Sequence, residues 1–174
     1  VIAIFSSVVI PLAMSIIILL RDIYLTHPTY TKREGLFLIL FGLFSSWMTD
    51  TFAYFVGSKL GKHKLCPDIS PKKTVEGALG GIVGSTVMNL LLLLVFKQFI
   101  FDSASNITYL GVGLISLLLA VVSMCGDLTA STLKRNFGVK DFGTFFPGQG
   151  GVMDRFDSYV FVMPVLYSFV VCLA

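Results

Sequence analysis

The chain has 174 residues, 55% of them hydrophobic and 13% charged, with a net charge of +3 and a mean hydropathy of +0.87. A soluble domain carries about a quarter charged residues, so this composition excludes an ordinary water-soluble fold. Apolar runs recur along the whole chain, which excludes a signal peptide as their source.

Runs near the roughly 20 residues that a helix needs to cross a bilayer predict about five spans, at 1–20, 35–56, 77–101, 107–126 and 158–174. The expected fold class is all-α: one polytopic transmembrane helical domain over 1–174. The chain starts and ends inside apolar runs, as expected of the C-terminal part of a longer polytopic protein. Between spans, 57–76 and 127–157 are polar, Gly-rich and basic, whereas 21–34 and 102–106 are less distinctive. Alternation places both rich segments on one side. Lys59, Lys62, Lys64, Lys72, Lys73, Lys134, Arg135, Lys140 and Arg155 lie there, against Arg21, Lys32, Arg33 and Lys97 opposite. The positive-inside rule makes the richer side the cytoplasm. Cys66, Cys125 and Cys172 have neither metal-ligand nor disulfide-like spacing and read as small apolar residues in or near helices.

Polar chemistry begins in the second span, where W-M-T-D-T-F-A-Y holds Asp50 about two turns from the cytoplasmic end. An intramembrane carboxylate costs a few kcal/mol even on the lenient insertion scale, so it has a partner or a task. Ser46, Trp47 and Tyr54 are expected on its face at three- or four-residue spacing. The next segment, L-C-P-D-I-S-P-K-K-T-V-E-G, reads as a stiff loop because Pro67 and Pro71 break helices. Ser70, Lys72, Lys73 and Thr74 bring two ammonium groups and two hydroxyls together. That suits a polyphosphate or an ordinary positive-inside loop, and spacing alone leaves both open. Glu76 sits at the next helix start, where the dipole favours it. Gly77, Gly81 and Ser85 form a small-residue ridge that favours close helix packing in lipid, with amide contacts to a phosphate as the second reading.

The fourth span ends at Asp127. If its helix continues, Asp127, Ser131 and Lys134 share a face with Arg135 nearby. Lys140, Asp141, Asp154, Arg155 and Asp157 follow, with Asp154, Asp157 and Ser158 expected on one face. Asp127 and Asp154 flank one loop at the same membrane boundary. Such a pair suits Mg²⁺, which takes one or two carboxylates and completes its shell with phosphate oxygens and water. Salt bridges to the neighbouring Lys and Arg are the alternative, and the residues alone do not choose. No Walker phosphate loop, G-x-S-x-G or His-rich zinc pattern is present. His27 lies on the far side and His63 reads as a solvated loop residue, so histidine-based nucleophilic catalysis is not expected.

The run from Ser131 to Asp157, S-T-L-K-R-N-F-G-V-K-D-F-G-T-F-F-P-G-Q-G-G-V-M-D-R-F-D, resembles the C-terminal signature of phosphatidate cytidylyltransferases: S-x-x-K-R, then K-D, a Gly-rich turn and D-R-x-D. W-M-T-D-T-F-A-Y-F-V-G-S-K-L-G and I-S-P-K-K-T-V-E-G-A-L-G-G resemble other recurrent segments of that family. The resemblance covers about residues 45–85 and 120–160. It implies an integral membrane enzyme of the bacterial inner membrane or its equivalent, Mg²⁺-dependent and homodimeric, that moves the cytidylyl group of CTP to phosphatidate and releases pyrophosphate. It makes Asp127 and Asp154 the metal ligands, allows a monovalent cation such as K⁺ alongside, and points to no nucleic-acid partner. Gln149 stands where the family usually has His; a glutamine bonds but does not titrate, so a contact or turn-shaping role is expected. The family's upstream spans lie outside this chain.

Phosphatidate already carries an anionic oxygen, so little general-base help is needed. The obstacle is repulsion between two polyanions, which metal ions and fixed cations relieve. On this reading Asp127, Asp154, Lys140 and Asp50 carry the catalysis. Ser70, Lys72, Lys73, Thr74, Ser131, Lys134 and Arg135 bind substrate, and Arg155 suits the lipid phosphate by its bidentate fork. Asp141, Asp157, Glu76 and Gln149 support them. The nearest alternative is a CTP-dependent polyprenol or phytol kinase, which moves the γ-phosphoryl group to a hydroxyl. An ion transporter fits less well, because its polar residues would gather at the midplane. A CDP-alcohol phosphotransferase would need a D-G-x-x-A-R run, which is lacking.

Overall fold

The computed structural model describes residues 10–67, 69–101, 105, 107–136, 138 and 153–173. Its elements in chain order are α1 (Ile10–Arg21), α2 (Ile23–Thr26), α3 (Lys32–Leu60), β1 (Lys64–Cys66), β2 (Ser70–Thr74), α4 (Val75–Phe99), α5 (Tyr109–Asn136), α6 (Met153–Phe156) and α7 (Tyr159–Leu173). Three helices, α3, α4 and α5, are long and apolar enough to cross a membrane, and two shorter apolar helices flank them at Pro11–Arg21 and Tyr159–Cys172. The chain is an all-α membrane protein, apart from one small hairpin.

Each long helix is delimited by side-chain chemistry. A capping box starts α3: Thr31 Oγ1 accepts from the Glu34 amide at 3.3 Å, and the Glu34 carboxylate accepts from the Thr31 amide at 2.7 Å. Glu34 is buried there and also accepts from Ser105 Oγ at 2.8 Å, which fastens the segment before α5 to the foot of α3. α4 is capped by Thr74, whose hydroxyl accepts from the Gly77 amide at 3.1 Å. Beyond the expected spans, α3 reaches Leu60 and α5 reaches Asn136. The α5 extension carries Ser131 and Lys134 on as helix.

The stiff loop expected before α4 is instead a two-stranded antiparallel hairpin, with Lys64 opposite Thr74, Cys66 opposite Ser70 and an irregularity between. Proline bars helix but not extended backbone, and a two-stranded ribbon has an outer edge where Pro71 need donate nothing.

α3 and α4 pack through the small-residue ridge. A Cβ on Gly77 would lie 2.7 Å from the Ala53 carbonyl, and one on Gly81 would lie 2.8 Å from that of Thr49. In lipid, where apolar burial drives nothing, this backbone proximity lets dispersion hold the helices together. Gly77, Gly81 and Ser85 are all buried, so the packing reading of the ridge holds. At the far end from the hairpin, Phe37 packs edge-on against Phe96 and Phe101, with centroids 5.2 and 5.5 Å away. Leu20, Ile23, Phe41, Met163 and Leu166 complete a core shared by α1, α2, α3 and α7.

Candidate active site

The polar groups converge where the C-terminal ends of α3 and α5 meet the hairpin and the N-terminus of α4. A cavity of about 360 Å³ opens there. Asp50 and Tyr54 of α3, Ser70, Lys72, Lys73 and Thr74 of β2, Gly77 of α4, and Met124 and Asp127 of α5 line it. Thr74 sets the hairpin's position: its hydroxyl caps α4 and lies against Gly57 and Gly61, where any side chain would collide with it. Lys73 consequently reaches across to α5, and its ammonium forms an ion pair with the Asp127 carboxylate. Both side chains stay about a quarter exposed, at 26% and 24%.

Asp50 faces a second cavity too, of about 300 Å³, lined by Trp47, Met48, Thr51, Asp154 and Asp157. α7 comes close to α5 here because Gly126 has no side chain; a Cβ on it would lie 3.2 Å from Ser158 Cα. Lys134 Nζ then donates to Asp154 Oδ1 at 2.9 Å and approaches Asp157 Oδ2 at 3.4 Å. Asp157 also accepts from the Ser158 amide at 2.8 Å. Burial, together with the nearby negative charge of Asp127, holds the Asp157 carboxyl above the usual carboxylate range, and Lys134 offsets only part of this.

Asp50, Ser70, Lys72, Lys73, Thr74 and Asp127 therefore share one cavity, while Asp154 and Asp157 share the adjoining one. Lys134 stands with the latter pair, away from the first cavity. Ser131 and Arg135 line neither, and Arg135 is exposed. Glu76 faces outward: its carboxylate accepts from the Lys62 and His63 amides, and His63 Nδ1 lies 2.6 Å from it. His63 is exposed, as expected of a loop residue, but this contact ties it to the start of α4. Of the face proposed around Asp50, Trp47 and Tyr54 border the two cavities. Ser46 turns inward instead, to Ser123 at 3.2 Å. Lys140, Asp141 and Gln149 lie outside the described residues, as does the side chain of Arg155.

Among the described residues, no three Asp, Glu, His or Cys side chains gather closely enough to hold a metal ion unaided. Mg²⁺ does not require that, since substrate oxygens and water complete its shell. Asp127, about a quarter exposed, and Asp154, 7% exposed beside the adjoining cavity, are hard oxygen donors each held by an ammonium group, so both positions already favour positive charge. The donor set fits the ion.

The pairing of Lys73 with Asp127 was not readable from the sequence, because 53 residues separate them. The Ser46–Ser123 contact and the Gly126 crossing were also missed. The signal for the latter was the small residue beside the carboxylate in C-G-D.

A model of the cytidylyltransferase family matches residues 1–173. Proteins named phosphatidate cytidylyltransferase are similar to the chain. The one from Staphylococcus saprophyticus is 46% identical over 136 residues, which is 78% of this chain and 50% of that protein. Its counterpart in Staphylococcus epidermidis is 48% identical over 136 residues, with the same coverage. That of Staphylococcus aureus is 46% identical over 137 residues, again 78% of this chain and 50% of the other. The chain thus spans about half the length of the curated relatives it matches.

Proposed function

This chain belongs to the cytidylyltransferase family, and we propose that its boundary site transfers the cytidylyl group of CTP to phosphatidate, giving CDP-diacylglycerol and pyrophosphate. One observation carries the reading. The two family-like segments, distant in sequence, meet in a single cavity that presents Lys72, Lys73, Ser70 and Thr74 opposite Asp50 and Asp127.

The chain's own groups suit the electrostatic problem. Lys72 and Lys73 offer two ammonium charges to a triphosphate, and Ser70 and Thr74 add hydroxyl donors. Binding the nucleotide there replaces the Lys73–Asp127 pair with phosphate contacts, freeing Asp127. Asp127 and Asp154 would hold Mg²⁺, which when bound supplies positive charge at the transferred phosphoryl group and at the leaving pyrophosphate. The lipid phosphate is its own nucleophile, so no titrating side chain is needed at the point of attack. What remains is alignment, which rigid helices bearing Asp50 and Asp127 supply. Asp50 borders both cavities and so stands between the hairpin lysines and the Asp154–Asp157 pair.

A lipid substrate suits the location. Its acyl chains stay among the exposed leucines and valines of α4 and α5, while its phosphate reaches the boundary where the carboxylates lie. The proposal includes a site that faces the cytoplasm, supported by the nine basic residues on that side. It also includes a monovalent cation such as K⁺ beside Mg²⁺ and a homodimeric assembly, both supported by the family resemblance. The test is D127N in the full-length parent: turnover is expected to vanish while the protein stays extractable and folded. Near-normal activity would contradict the assignment.

A further inference from the structure

We propose that the Ser46–Ser123 pair is a bolt that sets the spacing of Asp50 and Asp127, so that both serines act as positioning residues for the reaction proposed above, on which this inference rests. The two hydroxyl oxygens are 3.2 Å apart, joining α3 to α5. Ser46 is 2% exposed and Ser123 is 0% exposed, so neither hydroxyl serves a surface role.

The position of the pair carries the argument. Ser46 is four residues before Asp50, and Ser123 is four residues before Asp127. In an α-helix residues four apart stack on one face, about one turn (~5.4 Å) along the axis. The bolt therefore lies one turn beneath two carboxylates that line the same cavity. Thr49, Ser85 and Ser116 bond back to their own helices, at the Ser45, Ile82 and Val112 carbonyls. Ser46 and Ser123 instead reach across between helices, at the level where a change in helix spacing would be felt at the site. α4 constrains α3 at the same height, through Gly81 against the Thr49 carbonyl, but it carries no carboxylate into the cavity. α4 also packs against both α3 and α5, and the Ser46–Ser123 hydrogen bond adds a direct tie between the two helices that carry the carboxylates.

The geometry also supplies the test. The 3.2 Å between the hydroxyls brings the two side chains within reach of each other, so a cysteine pair at these positions tests the contact. In a full-length parent cleared of its other cysteines, S46C/S123C is expected to form a disulfide on mild oxidation. S46A, S123A and reduced S46C/S123C are each expected to lose about tenfold in kcat, because misplacing a reacting group by even an ångström is costly. KM for CTP should change little, since Lys72 and Lys73 are untouched. Oxidation should restore the kcat of the double variant, while the cysteine-free parent should not respond to oxidant. A role limited to general stability would lower the melting temperature without this redox-dependent recovery. Failure of the disulfide to form, or equal kcat in both redox states, would overturn the inference. An inactive parent would instead overturn cytidylyl transfer, and the bolt's catalytic role with it.

Discussion

Replacing Lys73 with glutamine tests the electrostatics of the cavity directly. Its ammonium is the cation facing Asp127, and it lines the same cavity as Lys72 and Asp50. A unit charge about 4 Å from an anionic oxygen, at an effective dielectric near 20, contributes about 4 kcal/mol. Lys73 and Asp127 remain 26% and 24% exposed, so solvent screening and the cost of stripping water from the ammonium remove about half of that. About 2 kcal/mol remains, which corresponds to a fall of about 30-fold in kcat/KM for CTP. The assay is the initial rate of lipid labelling from α-labelled CTP, with the full-length parent in mixed micelles at fixed phosphatidate. K64Q is the control, because Lys64 is exposed on the same hairpin and lines neither cavity; it should change the rate by less than about twofold. If K73Q behaved like K64Q, the cavity would not be the triphosphate site, and the reasoning from its lining residues would fail.

Two further predictions concern stability. G81L places a side chain 2.8 Å from the Thr49 carbonyl and 3.1 Å from Ala53 Cβ; overpacking against backbone should cost about 2–3 kcal/mol, seen as a lower thermal midpoint in detergent, and an unchanged midpoint would refute the close α3–α4 crossing. For Asp157, burial first and Asp127 second raise the folded carboxyl above its unfolded value near 4, so its contribution to stability is present below that value and lost as pH rises through the folded one. D157N removes this loss, so its midpoint relative to the parent should rise with pH above about 4; a pH-independent difference would contradict the assignment.

Much of the architecture was legible because the bilayer imposes simple length and polarity rules. Asp50, Asp127 and the Lys72–Lys73 pair stood out as costly or clustered charges near apolar runs, and the structure brings them together. The hairpin was not legible, since Pro67 and Pro71 signal only that a helix stops and say nothing of what extended backbone pairs with. The outward turn of Glu76 was hidden for a related reason: a carboxylate at a helix start can serve the dipole, a neighbouring loop or the site, and only the fold of residues 61–63 selects among them. The ion pairs of Lys134 with Asp154 and Asp157 were not legible either, because they depend on the Gly126 crossing that brings α7 close to α5. Pairings between helices depend on rotation about each axis, which apolar runs scarcely specify.

Label transfer tests the central claim most directly. The full-length parent, in micelles with Mg²⁺ and phosphatidate, would receive CTP labelled at the α-phosphate in one reaction and at the γ-phosphate in another, with a polyprenol acceptor run in parallel. Cytidylyl transfer predicts label in lipid from the α-position alone. Label from the γ-position alone would make the protein a lipid kinase and contradict the account.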